Sequence, residues 1–321
     1  MNLRSLMVVF IALTCAPAAL AQAWPTKPVK IVIGFTPGGP SDSSTRIIAE
    51  DIGRTLGQPF LIENKPGAGG NLAADTVAHA APDGYTLFLA NSGAFGVNPS
   101  LYATLPFDPV KDFTPITLTV TTPLVIIVGA NSPAKTMGDL ITMIKRDGAA
   151  MNYGTPGIGT LPHIGAEILK ERIGGKSTHV PYRGSAQEVE GVMKGEVQWS
   201  IDAPVTAVGP LKAGQIRLLA ISSEKRLPIL PDVPTTAEAG IPELNDGPWY
   251  ALVGPAGLPA DIVAKLHAAT VAALRKPEVI ERMTPLGLEP KPMTPAETAA
   301  YMAATRERWG AVVRAHGMKV E

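Results

Sequence analysis

Cysteine is almost missing from this chain: of 321 residues only Cys15 is one. It lies in an N-terminal stretch that reads as a secretory leader. Arg4 is followed by the mostly apolar Leu6–Leu20, then by small-x-small cleavage sites at Ala19–Ala21 and Ala21–Ala23. The flanking sequence turns polar and proline-bearing at once, so this run is too short for a membrane span. Cleavage near Gln22 or Trp24 is expected. Cys15 sits in ALTC, which loosely resembles a lipoprotein box, although Thr14 stands where Gly or Ala belongs; lipidation there stays open. A signal peptide of residues 1–21 leaves 300 residues with no thiol. Such a chain has no disulfides, is compatible with an oxidising compartment, and must rest on its core alone.

Other absences narrow the function. Acidic and basic residues balance at 28 each, and losing Arg4 leaves 27 basic residues and no basic run, which argues against nucleic acid as a partner. No second apolar stretch is long enough to cross a bilayer, so no membrane insertion of the mature chain is expected. The first glycine turn lacks the Lys-Ser/Thr of a P-loop, and no G-x-G-x-x-G follows the first strand, which argues against a nucleotide phosphate. No serine has glycine at both −2 and +2. The five histidines are scattered without an H-E-x-x-H. His163 and Glu167 are four apart on one predicted helix, a spacing that seats two metal ligands, but local capping or packing accounts for them as well. Neither metal nor cofactor is expected.

Glycine and proline are plentiful, and they gather where predicted strands end. The apolar run Val29–Phe35 leads into FTPGGPSD (Phe35–Asp42) and then a helical pattern, Ser43–Leu56, with Ile48, Ile52 and Leu56 at four-residue spacing. Short strands at Pro59–Glu63 and Tyr85–Ala90 flank KPGAGGN (Lys65–Asn71) and a helix over Leu72–Ala80 with Asn71 as N-cap. Asn98–Pro115 is rich in proline and reads as an ordered surface excursion. Pro123–Gly129 reads as a buried strand crossing between two halves. Alternation resumes with a helix at Asp139–Arg146, strands at Met151–Gly154, Thr178–Tyr182, Val197–Ile201 and Ile216–Ser222, and helices between them. Trp249–Gly254 is the return strand. The tail is helical, and Thr294-Pro295-Ala296-Glu297 is a capping box. Such alternation predicts an α/β chain with parallel sheets, whose ligands sit beyond the C-terminal strand ends.

The turns at those ends therefore hold the candidate residues. The first N–H groups of a helix lack intrahelical partners and carry partial positive charge. Gly38 and Gly39 let a ligand approach the main chain, so FTPGGPSD suits an anion held by N–H groups alone. The same turn also fits a plain cap by Ser41 or Asp42. Asp202 closes the strand Val197–Ile201, either as a turn residue or as an acceptor for a ligand's hydroxyl, amino or protonated carboxyl group. Phe35, Phe95, Trp249 and Tyr250 fall near the expected cleft or hinge, as core or as pocket wall.

Six stretches together resemble one family, the Bug (TctC-like) solute-binding receptors of tripartite tricarboxylate transporters. They are PGGPSDSSTRIIAE (Pro37–Glu50), ENKPGAGGNLAAD (Glu63–Asp75), APDGYTL (Ala81–Leu87), NPSLYATLPFDPVKDFTPI (Asn98–Ile116), HVPYRGSAQ (His179–Gln187) and LPDVPTTAEAG (Leu230–Gly240). The resemblance implies a two-lobed periplasmic binding protein of type II, a Venus flytrap with two crossing strands. Residues 22–125 plus 250–321 would form lobe 1 and 126–249 lobe 2. It implies a monomeric, non-enzymatic periplasmic receptor that passes a small carboxylate to membrane permease subunits. Carried over by position, it points to Phe35, Thr36, Gly38, Gly39 and Asp42 in the first turn, Asn91 and Ser92 after strand three, Thr155 and Thr160 in the third glycine turn, and Asp202. Departures occur at Ala94-Phe95, Leu161-Pro162 and Ile201, where the family commonly carries Thr-His, Ser-x and Phe. They suggest a ligand whose distal end is more apolar than citrate or malate. The competing readings are an exported enzyme using Asp42 or Asp202 as general base on a carboxylate, and a sensory receptor for a two-component system.

Overall fold

The structure is a computed structural model that describes residues 24–320; the leader of residues 1–21, Cys15 and the cleavage position at Gln22 lie outside the described residues. The chain begins with β1 (Val29–Ile33), α1 (Pro40–Leu56), β2 (Phe60–Asn64), α2 (Asn71–Ala78) and β3 (Thr86–Asn91). After a π-helical turn at Gly93–Val97 come α3 (Asn98–Leu101) and β4 (Phe113–Thr121). The middle of the chain is β5 (Val125–Gly129), α4 (Met137–Asp147), β6 (Asn152–Thr155), α5 (Leu161–Ile173), β7 (Thr178–Pro181), α6 (Ser185–Lys194), β8 (Trp199–Asp202), α7 (Pro204–Lys212) and β9 (Ile216–Ile221). It closes with β10 (Trp249–Pro255), α8 (Ala260–Leu274), α9 (Pro277–Met283), β11 (Glu289–Pro290) and α10 (Pro295–Ala315).

The strands form two sheets, ordered β11-β4-β10-β3-β1-β2 and β7-β6-β8-β5-β9. In the first, β2, β1 and β3 are parallel, with Ile31 opposite Ile62 and Leu87, while β10 runs antiparallel to β3 and β4. In the second, β7, β6 and β8 are parallel and β5 is antiparallel to β8 and β9. Successive side chains of a strand point to opposite faces. Hence Val29, Ile31 and Ile33 pack on Ile48 and Ile52 of α1 and Leu266 of α8, while Val32 packs on Ala73 and Val77 of α2. In the second sheet Val125 and Ile127 meet Val189 and Val192 of α6, whereas Ile126 and Val128 meet Leu140, Ile164 and Leu169. Burial on both faces explains why these strands read as continuous apolar runs. Burying each such Ile or Leu side chain contributes about 1.5–3 kcal/mol.

β4 departs from the expected surface excursion, which ran to Pro115. It lies between β10 and β11. Proline in a central strand removes a ladder donor. Here Pro115 pairs with Val253 beside a register shift, so the ladder is already broken where the donor is missing. Asn71 is the first residue of α2 and not its cap; the cap is Gly70, held left-handed at φ 103°.

The chain passes between the sheets twice, between β4 and β5 and again before β10. The two passages lie side by side: the Thr122 amide donates to Pro248 O at 3.1 Å, and Ser222 Oγ receives the Leu124 amide at 2.7 Å while donating to Asp246 O at 2.8 Å. α10 caps the same edge. Trp309 and Val313 pack with Leu124, Ile126 and Ile164, Arg308 pairs with Asp246, and His316 pairs with Glu171 on α5. Among the described residues no helix is long and apolar enough to cross a membrane.

Candidate ligand-binding cleft

The C-terminal ends of β1 and β3 in one sheet face those of β6 and β8 in the other. Between them lies a narrow cleft lined by residues of both sheets. Helix starts ring it: Gly39, Pro40 and Ser41 of α1, Thr160 to Pro162 of α5, Ser185 of α6 and Ala203 before α7. Among the described residues no Lys, Arg or His lines it, and its only acid is Asp202.

Of the residues expected at the site, Phe35, Gly39, Asn91, Ser92, Thr160 and Asp202 are on this wall. Thr36, Gly38, Asp42 and Thr155 are not. Thr36 is spent on the contact between the halves: its amide donates to Arg183 O at 3.2 Å, and a Cβ on Gly184 would overlap its hydroxyl. Gly38, at φ 95°, donates its amide to Asp42 Oδ2 at 3.1 Å. Asp42 faces away from the cleft and receives Arg46 Nε and Nη2 at 2.9 Å each and Asn64 Nδ2 at 3.1 Å. Burial pushes its carboxyl up, but the hydrogen bonds from Arg46, Asn64 and the Gly38 amide outweigh it and hold the pKa below the ordinary value. Asp42 thus braces the turn. Thr155 is a brace too, with Oγ1 2.6 Å from His179 Nε2 and the Gly157 amide donating to it at 3.3 Å.

Below that third turn the rings of Trp199, Tyr153, His179 and His163 stack at 4.8, 4.8 and 4.3 Å between centroids. Burial lowers His163 to about 4 and His179 to about 3, so both are neutral at pH 7. His163 Nδ1 accepts from the Gly159 amide at 3.3 Å. His163 is therefore a local cap in a stack. Among the described residues no three His, Cys, Asp or Glu gather to hold a metal.

The two walls differ in kind. On the first-sheet side the amides of Ser41 and Asp42, in the first turn of α1, have no acceptor among the described residues; Ser43 is the first to bond back, to Gly39 O. Asn91 Oδ1 receives the Ala94 amide at 3.0 Å, which leaves Asn91 Nδ2 buried without an acceptor. The hydroxyls of Ser41 and Ser92 also lie here without a protein partner among the described residues. Unpaired buried donors cost free energy, so this wall asks for an acceptor. On the opposite side Asp202, 1 % exposed, receives Ser185 Oγ at 2.8 Å and Thr206 Oγ1 at 2.9 Å. Burial raises its pKa to about 6, against hydrogen bonds from the Ala203 amide, Ser185 and Thr206. Glu188 of α6 lies close behind. Burial first, then the charge of Asp202, raises it well above its ordinary value against a weaker opposing pull from the neighbouring Ser200 hydroxyl.

Leu161 and Pro162 line the cleft, whereas Ala94 and Phe95 do not. Phe95 is fully buried among Phe88, Phe107 and Phe113. Trp249 is likewise core, edge-on to Tyr301, while Phe35 and Tyr250 are wall. Sequence reasoning missed Ser185, Pro156, Pro248 and Ala203. Ser185 had a signal, since YRGSAQ is a turn after a strand; Pro248 had none, because it arrives from the passage between the sheets.

Two α/β sheets with a donor-lined cleft between their strand ends define the periplasmic-binding class of fold. The chain belongs to the tripartite tricarboxylate transporter family receptors, whose family pattern it matches over residues 44–318. It is 32 % identical to Protein BugT of Bordetella pertussis over the whole of both chains. It superposes on MatC of Rhodopseudomonas palustris with bound malate at a TM-score of 0.86 and 36 % identity, covering 90 % of this chain and all of that one. Against R. palustris Rpa4515 with adipate the TM-score is 0.89 at 33 % identity, covering 92 % of this chain and all of the other.

Proposed function

We propose that this chain, exported by its leader, is a periplasmic receptor that captures a small carboxylate in the cleft and presents it to membrane permease subunits. The lobes follow the two sheets, so Val125 of β5 goes with lobe 2 and Trp249 of β10 with lobe 1, one residue each from the expected bounds of 22–125 plus 250–321 and 126–249. The observation that carries the reading is the set of donors without a protein acceptor among the described residues, the Ser41 amide and hydroxyl, the Ser92 hydroxyl and the buried Asn91 Nδ2, beside a cleft that no described Lys, Arg or His lines. A carboxylate satisfies several of them at once. Helix ends contribute about 0.3–1 kcal/mol each to holding such a charge, more where water is excluded. The relatives seen with malate and adipate support the chemical class.

The receptor closes on its ligand and does not transform it. No His lies beside Ser41 or Ser92 to act as base, and Asp202 is already engaged by two hydroxyls. Closure is favoured because the ligand touches both lobes and so prefers the closed state. A thermal-shift screen over mono-, di-, tri- and aromatic carboxylates, followed by calorimetry and product analysis, tests this. A carboxylate should bind at one site per chain and be recovered unchanged. Failure of every carboxylate to bind, or appearance of product, would overturn the reading.

A further inference from the structure

The carboxylate reading says what one wall of the cleft takes; the other wall says what the rest of the ligand is. Donors cluster on the first-sheet wall, and the only charged group of the cleft among the described residues, Asp202, is on the opposite wall. No basic residue offsets it. Ser185 and Thr206 each give one hydrogen bond to separate oxygens of Asp202, so each oxygen keeps acceptor capacity. Apart from Ser185 and Tyr250, the surfaces between the two ends are mostly carbon, from Phe35, Pro156, Leu161, Pro162 and Pro248.

Resting on the proposed carboxylate site, we propose that the ligand carries one carboxylate only and offers a hydrogen-bond donor, a hydroxyl or an ammonium, to Asp202. A second carboxylate would meet a buried acid of the same sign with no cation between them, and like charges in a desolvated site repel strongly. The other groups facing Asp202 supply no positive charge to offset it: Glu188 behind it and Tyr250 of β10 are both raised and hold their protons, and no Lys or Arg contributes. A dicarboxylate enters only by bringing a proton to the pair. Its affinity should therefore fall as Asp202 ionises, up to about ten-fold per pH unit above that residue's pKa.

Four probes of similar length separate the possibilities: butyrate, succinate, 3-hydroxybutyrate and 3-aminobutyrate, titrated calorimetrically into the mature chain at pH 6.5 and 8. A hydrogen bond to a charged group predicts that at pH 8 the hydroxy or the amino acid binds about ten-fold or more tightly than butyrate and succinate. Which of the two is tighter tells hydroxyl from ammonium. Succinate should weaken between pH 6.5 and 8, while 3-hydroxybutyrate stays flat. Asp202→Asn should raise succinate affinity at pH 8 about ten-fold and remove the amino acid's advantage, with unfolding monitored to confirm the variant's fold. Succinate matching the donor-bearing monocarboxylates at pH 8, or showing no pH dependence in the unaltered protein, overturns this inference alone. No binding by any of the four also overturns this inference, whereas the carboxylate site falls only if the wider carboxylate screen fails as well.

Discussion

Asp42 and Asp202 both sit where a strand gives way to a helix, Asp42 in the first turn of α1 and Asp202 as the last residue of β8, and each is buried. Their surroundings reverse their roles. Asp42 has an arginine four residues on and an asparagine on the neighbouring strand, so it is neutralised and turned inward to hold Gly38. Asp202 has only hydroxyl and amide donors, and it faces the cleft. An acid at a strand end is thus a scaffold or a ligand contact according to whether a cation reaches it.

The largest effect should come from forcing apart the halves that carry these acids. A Cβ on Gly184 would meet Thr36 alone, across the interface, and the backbone there is extended, which any residue adopts. Gly184→Ala should lower ligand affinity about 100-fold, since closure would no longer repay binding. Adding Thr36→Ala should recover much of the loss. Calorimetry beside thermal unfolding checks both.

Next comes the pH dependence of stability, which should have opposite signs for the two acids. Asp202 is raised in the folded state, so the stability it gives is fully present below its unfolded pKa near 3.8 and is lost as pH rises through about 6. Asp202→Asn escapes that loss and should be more stable than the parent at pH 8 by about 2–3 kcal/mol, and not at pH 4. Asp42 is lowered, so its contribution is present above the unfolded pKa and vanishes as pH falls through the folded one. Asp42→Asn should cost about 1–2 kcal/mol at pH 7 and nothing in strong acid. Denaturant titrations across pH resolve both slopes.

The smallest effect is expected at His163 and His179. Both are neutral at pH 7, so ligand affinity should not follow their titration between pH 6 and 8. Histidines with lowered pKa values instead weaken the fold as pH falls below about 6.5, where the unfolded chain takes up protons that the folded chain refuses. His163→Asn should flatten that acid slope in a pH series of thermal unfolding.

Much of this was legible before any coordinates. Strand, glycine turn and helix alternate in the sequence because the central strands are buried on both faces and the turns after them lead into helix starts. The Thr294–Glu297 box was plain from four residues. What stayed hidden depended on distant partners. β4 carries a proline that argues against a central strand, and only its pairing with β10 shows the irregularity that tolerates it. Asp42 looked like a ligand contact because Asn64 is distant in sequence, although Arg46 stood in view one helical turn away. Nothing in the sequence shows that Asn91 has one amide nitrogen without an acceptor, since that follows from where its oxygen is used.

The central claim is that unpaired amides of α1 seat the carboxylate. The most direct test is the amide proton shift of Ser41 and Asp42 as the tightest-binding carboxylate of the screen is titrated into 15N-labelled protein. The account predicts large downfield shifts at these two residues, saturating with the calorimetric affinity, and little change at Gly38, whose amide is already bound to Asp42. Saturation of binding with Ser41 and Asp42 unmoved would contradict it.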